Sequence, residues 1–189
     1  MSDKSKVAVL VGSLRKASLN RMMANAAREM APAQLELTIV EIGSLPLYNE
    51  DREGDNAPAE WTTFRNAVRA CDALLFVTPE YNRSVPGALK NAIDVGSRPY
   101  GKSVWSGKPG AVISVSPGAL GAYGANHHLR HSFVFLDVPA MQQPEAYIGG
   151  AGKLFDAEGK LTNPETREFL KKYMAAFAAW IEKSAVKKS

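Results

Sequence analysis

At 189 residues, with 46% hydrophobic and 22% charged residues, the chain has enough apolar material for a buried core, which excludes wholesale disorder. Lys and Arg outnumber Asp and Glu by 23 to 19, a formal charge of +4 that sits partly in Lys183, Lys187 and Lys188 and is too thin to mark a nucleic-acid binder. The one cysteine, Cys71, excludes an internal disulfide framework and any multi-cysteine zinc or iron–sulfur site, and is expected to be a packed, inert thiol.

Short apolar runs alternate with helical patterns along the chain. Lys6 to Gly12 is almost continuously apolar, which predicts a parallel strand covered on both faces. That run is too short for a signal peptide or a membrane span, so no membrane insertion is expected and a reducing cytoplasm is the expected setting. Ser18 is placed to cap a helix running to about Met30 and stopped by Pro32. Leu35 to Ile42 predicts a second strand, and Pro58 to Ala70 a helix with Trp61, Phe64 and Val68 on one stripe. Ala73 to Thr78 is a third, fully apolar strand, and Pro86 begins a helix through about Val95. Gly110 to Val115 is a fourth strand, followed by a glycine-rich turn and a helix over 125–135. Val138 to Gln142 is the expected fifth strand, although Pro139 weakens its ladder. Thr162 or Asn163 opens a last helix whose apolar face is Phe169, Tyr173, Phe177 and Trp180. This alternation predicts one α/β domain over residues 1–189, built on a doubly wound parallel sheet.

In such a sheet ligands bind beyond the carboxyl ends of the strands, where strand order reverses. Three loops leave those ends. The first, Gly12-Ser-Leu-Arg-Lys-Ala-Ser-Leu-Asn20, offers the hydroxyls of Ser13 and Ser18, the Arg15 guanidinium, the Asn20 amide and backbone N–H groups through Leu19 to one phosphate. Neither a Gly-x-Gly-x-x-Gly fingerprint nor a Walker loop is present, and the hydroxyl-rich pattern suits a terminal phosphate monoester. The second, Thr78-Pro-Glu-Tyr-Asn-Arg-Ser-Val-Pro86, can turn the N–H groups of Glu80, Tyr81 and Asn82 to the polar edge of a planar ring. Pro79 then fixes its direction and Tyr81 lies beside the ring's face. The third, Ser116-Pro-Gly-Ala-Leu-Gly-Ala-Tyr-Gly124, lets backbone approach a flat ligand where side chains would clash. One phosphate pocket plus a slot for a heteroaromatic ring describes FMN.

Gly-Ser-Leu-Arg-Lys-Ala-Ser-Leu-Asn at 12–20 and Pro-Glu-Tyr-Asn-x-Ser-Val-Pro-Gly-x-Leu-Lys-Asn-Ala-Ile-Asp at 79–94 resemble the NADPH-dependent FMN reductase family. His128-Leu-Arg and Val134-Phe-Leu-Asp137 also resemble its bacterial chromate and quinone reductase branch, so the likeness covers roughly residues 6 to 148. It implies a flavodoxin-like fold with strand order 2-1-3-4-5, held FMN, and a homodimer or homotetramer in which a neighbouring subunit borders the flavin. It implies that Ser13, Arg15, Ser18 and Asn20 hold the phosphate, that Pro79, Glu80, Tyr81 and Asn82 address the isoalloxazine, and that Ser116 and Gly118 close its other side. It further implies that NAD(P)H reduces the flavin and that quinones, chromate or related oxyanions reoxidise it, with no catalytic side chain required. Arg83 stands where the family carries an aromatic residue, and is the candidate substrate residue for anionic acceptors. A flavodoxin-type electron carrier without NAD(P)H activity is the alternative, disfavoured by the basic charge. His127, His128 and His131 lack a nearby carboxylate or cysteine, so no metal site is expected.

Overall fold

A computed structural model describes residues 4–184, so Lys187 and Lys188 lie outside the described residues. Its five strands are β1 (Ser5–Val11), β2 (Leu35–Ile39), β3 (Ala73–Thr78), β4 (Gly110–Val115) and β5 (Ala146–Ile148). All pair in parallel, in the order β2-β1-β3-β4-β5, the flavodoxin-like order expected from the resemblance. Five helices cover the sheet: α1 (Leu19–Met30), α2 (Ala59–Arg69), α3 (Gly87–Gly96), α4 (Tyr123–Leu136) and α5 (Pro164–Ser184).

The continuous apolar runs follow from two separate cores. Val7, Val9 and Val11 of β1 face the layer of α1 and α5, while Ala8 and Leu10 face α2, α3 and α4. β3 divides in the same way, Leu75 and Val77 to one side, Leu74 and Phe76 to the other. Register locks the central pair, with Val7 opposite Ala73 and Val11 opposite Val77, so β1 and β3 end level at one sheet edge. The stripe of α5 behaves as core: Tyr173 and Phe177 are fully buried, and Trp180 donates its indole N–H to the Pro139 carbonyl at 3.0 Å. Among the described residues no helix is long and apolar enough to cross a membrane.

One expected strand is displaced. Val138 to Gln142 runs beside the start of β4 and forms only an isolated bridge, Gly110 with Ala140. Pro139 has no N–H to give, so its carbonyl accepts from Gly110 while Met141 donates back to Gly110. The fifth strand is Ala146–Ile148, paired with Ile113 to Val115. The second strand stops at Ile39, earlier than expected, with one further bond from Val40 N–H to the Val9 carbonyl.

Candidate functional site

The first loop leaves β1 at Gly12, whose N–H donates to the Val77 carbonyl at 2.9 Å. A Cβ on Gly12 would stand 3.1 Å from Pro79 Cδ and from Thr78 Oγ1, so the missing side chain lets the loops after β1 and β3 meet. Ser18 caps α1, its Oγ accepting the Arg21 N–H at 3.2 Å, and its own O–H remains a donor. The first turn of α1 holds no acidic residue, so its opening N–H groups and positive dipole end face the loop unopposed. Ser13, Ser18 and Asn20 are buried, and Arg15 is exposed with no carboxylate partner among the described residues.

Asn20 bears directly on fit. Its Nδ2 donates to the Val115 carbonyl at 3.5 Å, while Oδ1 is buried with no partner. An unpaired buried acceptor is costly unless a donor arrives. A phosphate dianion brings no donor, whereas the hydroxyls of a ribityl chain do.

The second loop is a tight hairpin. Tyr81 and Ser84 exchange both backbone hydrogen bonds at 3.0 Å, and Asn82 (φ 51°) and Arg83 (φ 64°) are both left-handed, the geometry of a type I′ turn. The Tyr81 N–H is therefore taken up inside the hairpin. The N–H groups of Glu80 and Asn82 have no partner among the described residues. The Glu80 carboxylate turns toward α4, accepting the Ala125 N–H at 3.1 Å and meeting Arg83 Nη1 at 3.4 Å.

The third loop is folded mainly onto its own neighbours. The Ser116 Oγ accepts the Gly118 N–H at 3.1 Å. Gly121 and Gly149 serve close chain packing: a Cβ on either would come within 2.5 Å of backbone atoms of Tyr147 or Ala119. Gly118 differs, since only Ser116 Oγ, at 3.5 Å, lies near its Cβ position. It is the glycine of this loop whose open side suits a ligand.

All the predicted cofactor residues except Asn82 and Gly118 line one cleft of about 260 Å³, whose remaining walls are Val115 and Pro117. An adjoining hollow of about 340 Å³ shares Arg15 and Tyr81 and adds Leu14, Pro86, Gly87 and Ala88. Sequence reasoning did not single out these last four, or Val115 and Pro117; the Pro-Gly pair opening α3 was the available signal. Leu14, Tyr81, Leu120 and Tyr123 are each about half exposed or more, an unusual amount of apolar surface for these three loops. A further hollow of about 480 Å³, between the end of β2 and α2, lies apart from these loops.

Two of the three histidines have hydroxyl partners. His127 Nε2 lies 2.9 Å from the Tyr147 hydroxyl, and His128 Nδ1 lies 2.9 Å from Ser84 Oγ. Burial, then Glu145, holds the Tyr147 hydroxyl protonated, well above the usual tyrosine range. Among the described residues no three or more His, Cys, Asp or Glu side chains gather as a metal site would require. Burial likewise pushes the Cys71 thiol up, and it donates to the Ala67 carbonyl, as befits an inert packed group.

A family model for NADPH-dependent FMN reductases matches residues 5–153. A quinone reductase of Pseudomonas putida is 63% identical over 182 residues, spanning 96% of this chain and 97% of the relative. A 2-hydroxy-1,4-benzoquinone reductase of a Burkholderia species is 47% identical, spanning 93% of this chain and 96% of the relative. Among solved structures, FerB, a flavoenzyme NAD(P)H:(acceptor) oxidoreductase from Paracoccus denitrificans, superposes with a TM-score of 0.90 at 43% identity, covering 96% of this chain and all of that one. With the hydroxyl-rich first loop, the Glu-Tyr-Asn hairpin and the 2-1-3-4-5 sheet in place, this chain belongs to the NADPH-dependent FMN reductase family.

Proposed function

We propose that the protein is an FMN-dependent NAD(P)H oxidoreductase that reduces quinones. The observation that carries this reading is a cleft at the carboxyl ends of β1, β3 and β4, where the predicted phosphate residues meet Pro79, Glu80, Tyr81 and Ser116. Bound FMN would supply the redox chemistry, taking two electrons from NAD(P)H and delivering them to the acceptor.

The chain's own part is binding and orientation. Ser13, Arg15, Ser18 and the N–H groups opening α1 at Leu19 and Asn20 would hold the phosphate, with guanidinium and helix dipole both opposing its charge. Asn20 Oδ1 would accept from a ribityl hydroxyl, which ends its lack of a partner. Pro79 directs the second loop so that the Glu80 and Asn82 N–H groups meet the polar ring edge, with Ser116 and Gly118 on the other side. The apolar surface at Leu14 and Tyr81, in the adjoining hollow, suits a flat, largely apolar acceptor such as a quinone.

Arg83, with 79% of its side chain exposed, would give anionic substrates, including nucleotide phosphates and oxyanions such as chromate, a charge to meet. A homodimer or homotetramer fits α4, whose Val134 and Phe135 are 82% and 76% exposed. A cytoplasmic setting, with NAD(P)H at hand, completes the reading.

The test is direct. The purified protein should carry or take up FMN, turn yellow, bleach when NADH or NADPH is added without oxygen, and recover its colour on adding a benzoquinone. A yellow protein that neither nucleotide bleaches would instead be an electron carrier, and the reductase reading would fall.

A further inference from the structure

Glu80 lies in the loop that borders the ring slot, yet its carboxylate serves a helix. α4 begins after Ala122, with no side-chain cap and no acidic residue in its first turn. Its third N–H, that of Ala125, would be an orphan donor at the positive end of the helix dipole. Glu80 Oε2 accepts that proton at 3.1 Å, with only 14% of the side chain exposed. The second partner, Arg83, sits at 3.4 Å and is 79% exposed, so it adds little and stays free to meet solutes.

Two further observations place the hairpin and α4 in one body. Ser84, at the far side of the hairpin, bonds His128 one turn along the same helix at 2.9 Å. Beside the first clasp stands Gly124, where a Cβ would lie 3.0 Å from Glu80 Oε2 and 3.1 Å from the Arg83 carbonyl oxygen. The helix approaches the hairpin this closely because that side chain is missing.

We propose that Glu80 is a positioning residue: clamped to the first turn of α4, its carboxylate holds the free N–H groups of Glu80 and Asn82 in register with the cleft, so that α4 sets one edge of the flavin slot. The inference rests on the FMN-binding reading above. Glu80 acts here through backbone groups of its own loop and not by touching the ring with its carboxylate.

The test compares wild type, Glu80→Gln, Glu80→Ala and Gly124→Ala by FMN titration, the fine structure of the bound flavin's visible band, and melting of the FMN-free protein. Glu80→Ala should weaken FMN binding about tenfold, the loss of one hydrogen bond to a charged group, and blur the flavin band. Glu80→Gln keeps an acceptor for Ala125 and should stay within about threefold of wild type. Gly124→Ala introduces a better helix former, so α4 is not weakened, yet its methyl presses on Glu80 and should loosen FMN several-fold. This variant keeps the proposal open to test should Glu80→Ala fail to fold. Ala variants that lower the melting temperature but bind FMN with unchanged affinity and spectrum overturn the proposal, because Glu80 is then only a helix cap. A Gln variant as weak as the Ala variant also overturns it. A wild-type protein that takes up no FMN defeats the underlying cofactor reading instead, a result distinct from either.

Discussion

Arg83 occupies the second left-handed position of a type I′ turn, a place that glycine normally takes. Asn82 before it tolerates positive φ through its short polar side chain, but an arginine there carries strain of about 1 kcal/mol. Among the described residues its only ionic contact is the loose one to Glu80, which does not offset that cost. The function proposed above would give the choice a reason, a charge two residues beyond Tyr81 for anionic substrates to meet. Arg83→Gly should therefore move two properties in opposite directions. Relief of the turn should raise stability by up to about 1 kcal/mol in denaturant melts, less the entropy glycine adds to the unfolded chain. Loss of the guanidinium should raise the KM for NAD(P)H or an oxyanion acceptor several-fold while FMN stays bound. A variant that is less stable and has unchanged KM values would show that Arg83 serves the fold alone. The strain was invisible in the sequence, because Tyr-Asn-Arg-Ser is a weak hairpin signal beside Asn-Gly or Asp-Gly. The residues of the first loop were legible, since a Ser cap two residues before Asn and a preceding Arg form a local pattern.

At the scale of elements, legibility followed the range of the forces involved. β1, β3 and β4 could be read because both their faces are buried, which writes itself into the sequence as unbroken apolar runs. β5 could not, because three residues carry no period, and Val138 to Gln142 lies against the same neighbour strand one bridge earlier. The loop from Tyr48 to Ala59 was recognisable only as a loop. Its fastenings come from residues far along the chain. Asn91 on α3 accepts the Tyr48 N–H at 2.8 Å and donates to the Leu45 and Pro46 carbonyls at 3.2 and 3.1 Å. Trp61 donates to Pro46, and the nearly buried Arg65 pairs with Glu53 at 2.5 Å while donating to the Val95 carbonyl. Ahead of that strap, Gly43 lies against Leu14, where a Cβ would stand 3.3 Å from a leucine methyl, so the segment abuts the phosphate loop. Asn91→Ala strips the partner from the half-buried Tyr48 N–H and Leu45 carbonyl, and leaves the Pro46 carbonyl with Trp61 alone. It should cost about 2–3 kcal/mol in urea unfolding. Asn91→Asp restores the acceptor for Tyr48 but sets a carboxylate against two carbonyl oxygens, and should destabilise at least as much at neutral pH. A loss below about 0.5 kcal/mol for the alanine variant would mean that Trp61 and Arg65 hold the strap without it.

At the scale of the whole molecule, the sheet separates two cores, and α5 closes the one shared with α1. Tyr173 sits at the centre of that closure. It is fully buried, and its hydroxyl donates to the Val112 carbonyl of β4 at 2.8 Å. Burial in apolar surroundings strongly disfavours the phenolate and holds the group protonated, far above the ordinary tyrosine range. In the unfolded chain the same phenol loses its proton near pH 10. Above that pH the unfolded state binds fewer protons than the native state, so stability falls as pH rises; below it this contribution is fully present. One such group gives a slope of about 1.4 kcal/mol per pH unit. Tyr147, also raised chiefly by burial, acts in the same direction. Tyr173→Phe keeps the ring and removes the proton. It should cost about 1 kcal/mol at pH 7 for the lost hydrogen bond. Its unfolding free energy, measured by urea melts at pH 7, 10 and 11, should then decline by roughly one proton less per pH unit than wild type along the alkaline limb, with the Tyr147 share remaining. The two curves should therefore converge as pH rises, the variant being the weaker protein at neutrality and losing that disadvantage in base. Parallel curves would mean that Tyr173 ionises as readily in the folded protein as in the unfolded chain, which a phenol sealed between α5 and β4 should not do.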